Sequence, residues 1–299
     1  MAERSIFRIK LQKYVSHPLQ GLAAYCAYGL FRILPLDAAS GLGGAMARMI
    51  GPRLGQSKKA RNNLIRAFPE KSAAEIEMIM RDMWENLGRS AAEIPHVRNI
   101  ACPGPHLEIV GLEHGMALKE DGKAGIFFTG HLANWEISML IARILDLPMM
   151  AVYRAPDNPW VDQLFVKARK AFKGEMVPKG APGARKMTAF LRKGGHIAML
   201  VDQKMSNGIA VPFFGRDAMT APALAQFAIK YDCPVVPVRV ERIKGTQFRM
   251  TIEPPLVLPQ TENRHDDILT IMTMVNQRLE NWIRERPAQW LWLHKRWPN

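Results

Sequence analysis

The sequence predicts an α/β protein: an open mixed sheet covered by helices, preceded by an N-terminal helical membrane-associating segment. Three observations carry this reading. From Glu108 onward, short apolar runs of strand length alternate with longer stretches of helical periodicity. Ahead of Glu108 the pattern is helical, with no strand-like alternation. That leading part also carries a concentrated basic charge interleaved with long apolar runs. At 299 residues, with 48% hydrophobic and 23% charged residues, the chain is long enough to bury a large core and too apolar to be disordered. The organisation expected is a membrane-associating helical segment over 1–50, a helical connecting region over 51–105 and an α/β catalytic domain over 106–299.

The elements follow in order. Residues 1–13 make a basic amphipathic start. Tyr14 to Phe31 then run for eighteen residues without a formal charge, and a second run rich in Gly and Ala spans Ala38 to Ala47. The first run sits at the lower limit for a spanning helix, so an in-plane anchor, a span and a buried helical hairpin all stay open. Gly41, Gly43 and Gly44 read as close helix packing. Ser57–Phe68 continues in helical periodicity until Pro69, and Ser72 with Glu75 forms a capping box for a helix over Ala73–Ser90. Strands are expected at Gly125–Phe128, Met149–Tyr153, Glu175–Val177, His196–Val201, Pro234–Val240 and Phe248–Ile252. Helices are expected at Trp135–Leu145, Pro159–Ala171, Pro182–Arg192, Pro222–Tyr231 and Asp266–Arg284. The turn Arg242–Thr246 marks Phe248–Ile252 as an antiparallel return.

The net charge of +14 is uneven, because residues 1–66 hold eleven Lys/Arg against Glu3 and Asp37. Such a block seeks a polyanion. The interleaved apolar runs favour a lipid surface, and no nucleic-acid-binding signature is present. Cys26, Cys102 and Cys233 are widely spaced and form neither a disulfide framework nor a metal-ligand pattern. The sequence calls for no cofactor and no metal.

Chemistry is expected first at Gly130-His131-Leu132-Ala133-Asn134-Trp135-Glu136, a strand-to-helix turn. On one continuous helix, His131 and Glu136 would diverge by about 140°. They meet only if His131 lies in the turn and Glu136 in the first helical turn, with Asn134 as N-cap. That arrangement makes a general base with an orienting carboxylate. The plainer alternative has His131 capping the strand and Glu136 as an acid near a helix N-terminus. Three other stretches sit at expected strand ends. Arg154 leaves one strand, with Arg169 on the basic face of the following helix beside Lys167 and Lys170. Asp202 emerges from an apolar strand, either as a loop cap or as a polar partner in a site. Phe213-Phe214-Gly215-Arg216, followed by Thr220 near a helix N-terminus, makes an anion-friendly platform.

The Gly-His-x-x-Asn-Trp-Glu stretch resembles the first motif of the glycerolipid and lipid A acyltransferases, in the form of the lipid A lauroyl and myristoyl branch. The Ala60–Leu64 and Phe68–Ser72 stretches, the Phe-Phe-Gly block, Cys233–Val238 and the Trp-rich ending Pro287–Trp297 resemble the same branch. The family's usual proline after the Arg is Ala155 here. The resemblance implies a glycerolipid-acyltransferase-like fold and an enzyme that moves a fatty acyl chain from an acyl carrier protein or CoA thioester to a lipid hydroxyl. It implies catalytic roles for His131, Glu136, Arg169 and Asp202, with Asp202 holding Arg169 or His131 or contacting the acceptor. Substrate-binding roles are implied for Asn134, Arg154, Gly215, Arg216 and Thr220. Expected partners are the thioester donor, a lipid acceptor and the anionic surface of a bacterial inner membrane, with the catalytic domain on the cytoplasmic side; nucleic acid is not expected. Two rivals remain: acyl transfer to a lysophospholipid or amino-acid lipid, and a non-catalytic membrane-surface binding module.

Overall fold

In a computed structural model, residues 12–100, 104–153, 155–169 and 172–297 are described. Most of the basic start, Cys102, Arg154 and Lys170 fall outside them. The leading third is helical: α1 (His17–Ile33), α2 (Leu36–Ile50), α3 (Gln56–Ala67) and α4 (Ala73–Glu93). Pro35 separates α1 from α2, since it supplies no amide for a continuing helix. The capping box is in place at α4, where Ser72 Oγ accepts from the Glu75 amide and the Glu75 carboxylate accepts from the Ser72 amide. Gly43 and Gly88 let α2 and α4 touch backbone to backbone. A Cβ on Gly43 would stand 2.6 Å from the Gly88 carbonyl oxygen.

Among the described residues no helix is long and apolar enough to cross a membrane. The 17 residues of α1 rise about 25 Å, against a hydrocarbon core of about 30 Å. Even so, α1 and α2 leave large apolar side chains uncovered, with Leu22 64%, Ile33 85% and Met49 61% exposed. Against the rest of the chain α1 is seated by Gly21, which admits the Trp160 ring, and by its His17 carbonyl, which accepts from the Asn158 amide.

Seven strands form the main sheet: β1 (Leu107–Val110), β2 (Gly125–Thr129), β3 (Met149–Tyr153), β4 (Gly174–Pro178), β5 (His196–Leu200), β8 (Val235–Lys244) and β9 (Gln247–Ile252). Their order is β1-β9-β8-β2-β5-β3-β4, parallel throughout except for the β8–β9 hairpin. The fold is thus mixed α/β with a parallel-dominated open sheet, and the antiparallel return stands where the Arg242–Thr246 turn predicts it. Side chains alternate across the central strand: Ile126 and Phe128 enter one hydrophobic core, Phe127 the other. Helices α5 (Leu112–Glu120), α6 (Pro159–Arg169), α7 (Ala181–Leu191), α8 (Ala223–Tyr231) and α9 (Arg264–Glu285) complete the layers.

Three elements differ from expectation. Trp135–Leu140 is a 3-10 segment, with one α-helical turn (Ile141–Ile144) behind it, rather than a helix to Leu145. There the Ser138 hydroxyl donates back to the Trp135 carbonyl, a local bond that tightens the turn. β1 and α5 occupy a stretch with no assigned element. Finally, Lys204–Phe213 (β6) and Arg216–Thr220 (β7) form a separate antiparallel hairpin. Its turn uses Phe214 and Gly215, both at positive φ (52° and 67°), as a two-residue hairpin requires.

Candidate active site

The sheet's register brings the first two site residues together. β2 and β5 are parallel neighbours paired at a constant offset, from Gly125↔His196 to Thr129↔Leu200. Continued two residues past the strand ends, the same offset sets His131 opposite Asp202. These ends are also a topological switch point: from β2 the chain crosses over β5 to β3, and from β5 it returns past β2 to β8. Open α/β sheets gather ligands at such a place.

Asp202 is fully buried and receives three hydrogen bonds. His131 Nδ1 donates to Oδ1 at 2.7 Å; the His131 amide and Trp290 Nε1 both donate to Oδ2, each at 2.7 Å. Burial alone would push this carboxyl up. The charge of His131 and the bonds from its ring and backbone outweigh burial and hold Asp202 well below the usual carboxylate range. An ionised Asp202 accepting from Nδ1 fixes the His131 tautomer and turns Nε2 outward as the basic atom.

Glu136 is placed differently from the expected His131–Glu136 pair. Both its oxygens accept from Arg169, Oε2 from Nε at 2.9 Å and Oε1 from Nη2 at 2.6 Å. The reason is the 3-10 segment, which turns Glu136 toward α6, while the β5 end delivers a carboxylate directly to the imidazole. The Arg169 guanidinium lies 4.5 Å from the centroid of the Tyr153 ring, and its third nitrogen, Nη1, is buried with no hydrogen-bond partner. Burial works against the Arg169 cation, but its bonds and attraction to Glu136 prevail and raise its pKa.

The turn between them is strained and clamped. Ala133 has φ +47°, a left-handed conformation that a side chain disfavours. Its carbonyl accepts from Asn86 Nδ2 and Ser90 Oγ, both at 3.1 Å, and its amide donates to the Gln289 carbonyl at 2.8 Å. Asn134 does not cap: its side-chain amide donates to Glu93 at 2.9 Å. Glu93, fully buried, is neutralised by Arg242, whose Nε also donates to Asn86. Residues 289–291 pair with the turn like a short strand, Leu291 N donating to the His131 carbonyl at 3.1 Å and Leu132 bridging to Trp290.

The outward face of His131 has its own neighbours. Gln203 Nε2 stands 3.3 Å from His131 Nε2 and 3.4 Å from His294 Nε2. With Nδ1–H committed to Asp202, the Gln203 amide donates into the Nε2 lone pair. The His294 ring meets His131 edge-on, centroids 4.9 Å apart. Burial first, then the neighbouring His131, pushes His294 down to about 4, against the upward pull of Asp202. His294 is therefore neutral at pH 7.

Gln203 and His294 were not among the expected site residues. The signal for His294 was its place in the Trp-rich ending, and for Gln203 its adjacency to Asp202. Conversely, Thr220 is fully buried, its hydroxyl donating to the Ala218 carbonyl and accepting from Arg296 at 2.9 Å. It ends β7 just ahead of α8, near a helix N-terminus as expected, and its hydroxyl is engaged within the protein. Gly215 and Arg216 lie at the exposed hairpin turn. Arg154 lies outside the described residues. Among those residues no cluster of three or more His, Cys, Asp or Glu could hold a metal. An imidazole at a strand end with a carboxylate on its Nδ1, beside a neutral second imidazole, can deprotonate a hydroxyl.

Residues 9–299 match the family model described as bacterial lipid A biosynthesis acyltransferase. The chain is 28% identical over 270 residues to a lipid A biosynthesis lauroyltransferase of Escherichia coli, covering 86% of this chain and 82% of the relative. It is 26% identical over 256 residues to the E. coli lipid A biosynthesis myristoyltransferase (81% and 76% covered). A phosphatidylinositol mannoside acyltransferase of Mycolicibacterium smegmatis is 22% identical over 293 residues, 94% and 93% covered. A solved 1-acyl-sn-glycerophosphate acyltransferase of Thermotoga maritima superposes with a TM-score of 0.39 at 13% identity, covering 85% of this chain and 98% of that one. With the family model matching nearly its whole length, the chain is an acyltransferase and belongs to the bacterial lipid A biosynthesis acyltransferase family.

Proposed function

We propose that this enzyme transfers a fatty acyl chain from an acyl carrier protein or CoA thioester to a hydroxyl of a lipid A precursor, with His131 as general base. The observation that carries the reading is the 2.7 Å bond from His131 Nδ1 to buried, ionised Asp202, which leaves Nε2 as the basic atom. The acceptor hydroxyl displaces the Gln203 amide and gives its proton to Nε2 as its oxygen attacks the thioester carbonyl carbon. Negative charge moves onto the carbonyl oxygen, and in this reading Arg169, held by Glu136 of the same motif, supplies the positive charge that offsets it. Collapse breaks the carbon–sulfur bond, and the leaving thiolate takes the proton from the imidazolium, which Asp202 has stabilised meanwhile. Glu136 serves this scheme by orienting Arg169 rather than the imidazole.

The reading of residues 1–50 as a membrane-associating segment is supported by the uncovered apolar side chains of α1 and α2 and by the basic charge around them. It puts the site at a membrane surface, where a lipid acceptor resides. On this reading that surface is the cytoplasmic face of an inner membrane, where a carrier-protein thioester is available.

The test is transfer of labelled acyl groups from acyl carrier protein, and separately from CoA, into extracted membrane lipids. Wild type is run beside His131→Ala and Asp202→Asn. A labelled lipid that folded variants fail to make supports the dyad, and its structure identifies the acceptor. Wild-type enzyme that labels nothing with either donor would sink the proposal.

A further inference from the structure

Between α3 and the segment 294–297 lies a cleft of about 340 Å³ that the proposed chemistry does not use. Its lining is one-signed. Lys59, Asn62, Asn63 and Arg66 recur at helical spacing along one face of α3, with Lys58 alongside and Lys295 opposite. Among the described residues no acidic side chain lines it. The walls are built rather than incidental. Buried Asn63 donates to the carbonyls of Trp292 and His294, at 2.8 and 2.6 Å, which locks the tail against α3. Trp297, 2% exposed, is pinned by its Nε1 donating to the Phe213 carbonyl. One wall is tied to the site, because Asn63 bonds the carbonyl of His294, whose ring meets His131. The Lys59 charge is near enough to add to the forces that keep His294 neutral, after burial and His131.

We propose that this cleft is a phosphate subsite that seats the anionic headgroup of the lipid acceptor while its hydroxyl reaches His131. A concave, cation-lined space of this size fits a phosphorylated headgroup. A convex acidic helix of a carrier protein would meet only its rim. Lys ammonium groups serve phosphate as point charges. The inference takes its orientation toward the reaction from the acyl-transfer reading, but anion binding itself does not depend on it.

Two arms test it on the full-length chain. In the first, inorganic pyrophosphate is titrated calorimetrically at low salt into wild type, His131→Ala and the double variant Lys59→Ala/Lys295→Ala. Both changed lysines are exposed, and melting curves check that the double variant is folded. Wild type and His131→Ala should bind, and the double variant should bind at least about tenfold more weakly, the equivalent of one lost charge-assisted contact. No binding by wild type, or equal binding by the double variant, overturns the proposal. In the second arm, acyl transfer is measured with a phosphorylated lipid A precursor and with the same lipid after phosphatase treatment. Dephosphorylation should raise the wild-type acceptor KM about tenfold and leave the already raised KM of the double variant unchanged. A double variant that raises only the donor KM would assign the cleft to donor phosphates and overturn the acceptor reading. If wild type transfers nothing but the pyrophosphate difference persists, the acyl-transfer reading falls and the anion site stands.

Discussion

Two carboxylates flank the same turn, and they are held in opposite ways. Asp202 extends a buried strand, has no solvent exposure and is bonded by three donors from two separate segments. Glu136 stands in a short 3-10 segment, is also buried and takes both its donors from a single side chain. The contrast shows which acid holds the imidazole. A carboxylate placed by sheet register reaches the His131 ring, while the one next to it in the chain is turned onto the Arg169 guanidinium.

Removing the base should have the largest effect. His131→Ala should lower kcat about 10³–10⁴-fold with the fold retained, read by labelled acyl transfer and a melting curve. Asp202→Asn should come next, at about 10²–10⁴-fold, because an amide no longer dictates the Nδ1–H tautomer. The asparagine variant should also be less stable. Its loss removes the carboxylate nearest in effect to the buried Arg296 cation, which burial already pushes down to about 10. Equal losses for Asp202→Asn and Glu136→Gln would erase the contrast. Glu136→Gln should cost only about 10–100-fold, as one oriented donor is lost while the base persists.

A smaller effect should appear in pH dependence of stability. His294 is held to about 4 in the folded state against an ordinary value near 6.5, so the unfolded chain binds the extra proton in between. Stability from this group is thus fully present above about pH 6.5 and is lost as pH falls toward 4, by on the order of 2 kcal/mol. Denaturant melts of wild type and His294→Gln at pH 7.5 and 4.5 should differ in their acid sensitivity, the variant being flatter. Gln203→Ala should have the smallest effect, a change of a few-fold in acceptor KM from a less obstructed Nε2. A hundredfold loss there would make Gln203 part of the chemistry and not a placeholder.

Much of this arrangement is legible in the sequence, and the failures have two physical causes. Strands such as Met149–Tyr153 carry a local apolar signature, and their observed bounds match the reading. Ser72 with Glu75 likewise shows its capping role in four residues. What the sequence cannot display is which strand lies beside which. The motif pairs His131 with Glu136 because they are close in the chain, but β5 beside β2 brings in an acid 71 residues away. His294 escaped for the same reason, since only the folded tail reveals its contact with the imidazole. The hairpin β6–β7 was missed because Gly, Pro and polar residues interrupt its alternation.

The clamp formed by residues 289–291 has a consequence in time as well as in space. Ribosomes deliver the chain from its N-terminus, and early segments begin folding while later ones are still unmade. The apolar helices and every strand of the sheet emerge before Gln289, so a nascent chain could already rest on lipid with its catalytic loop unsupported. Only when Trp290 arrives does Asp202 gain its third donor and the strained Ala133 its backbone partner. A chain interrupted at residue 286 would therefore hold His131 and Asp202 in an unfinished geometry, which the segment carrying Trp290 completes.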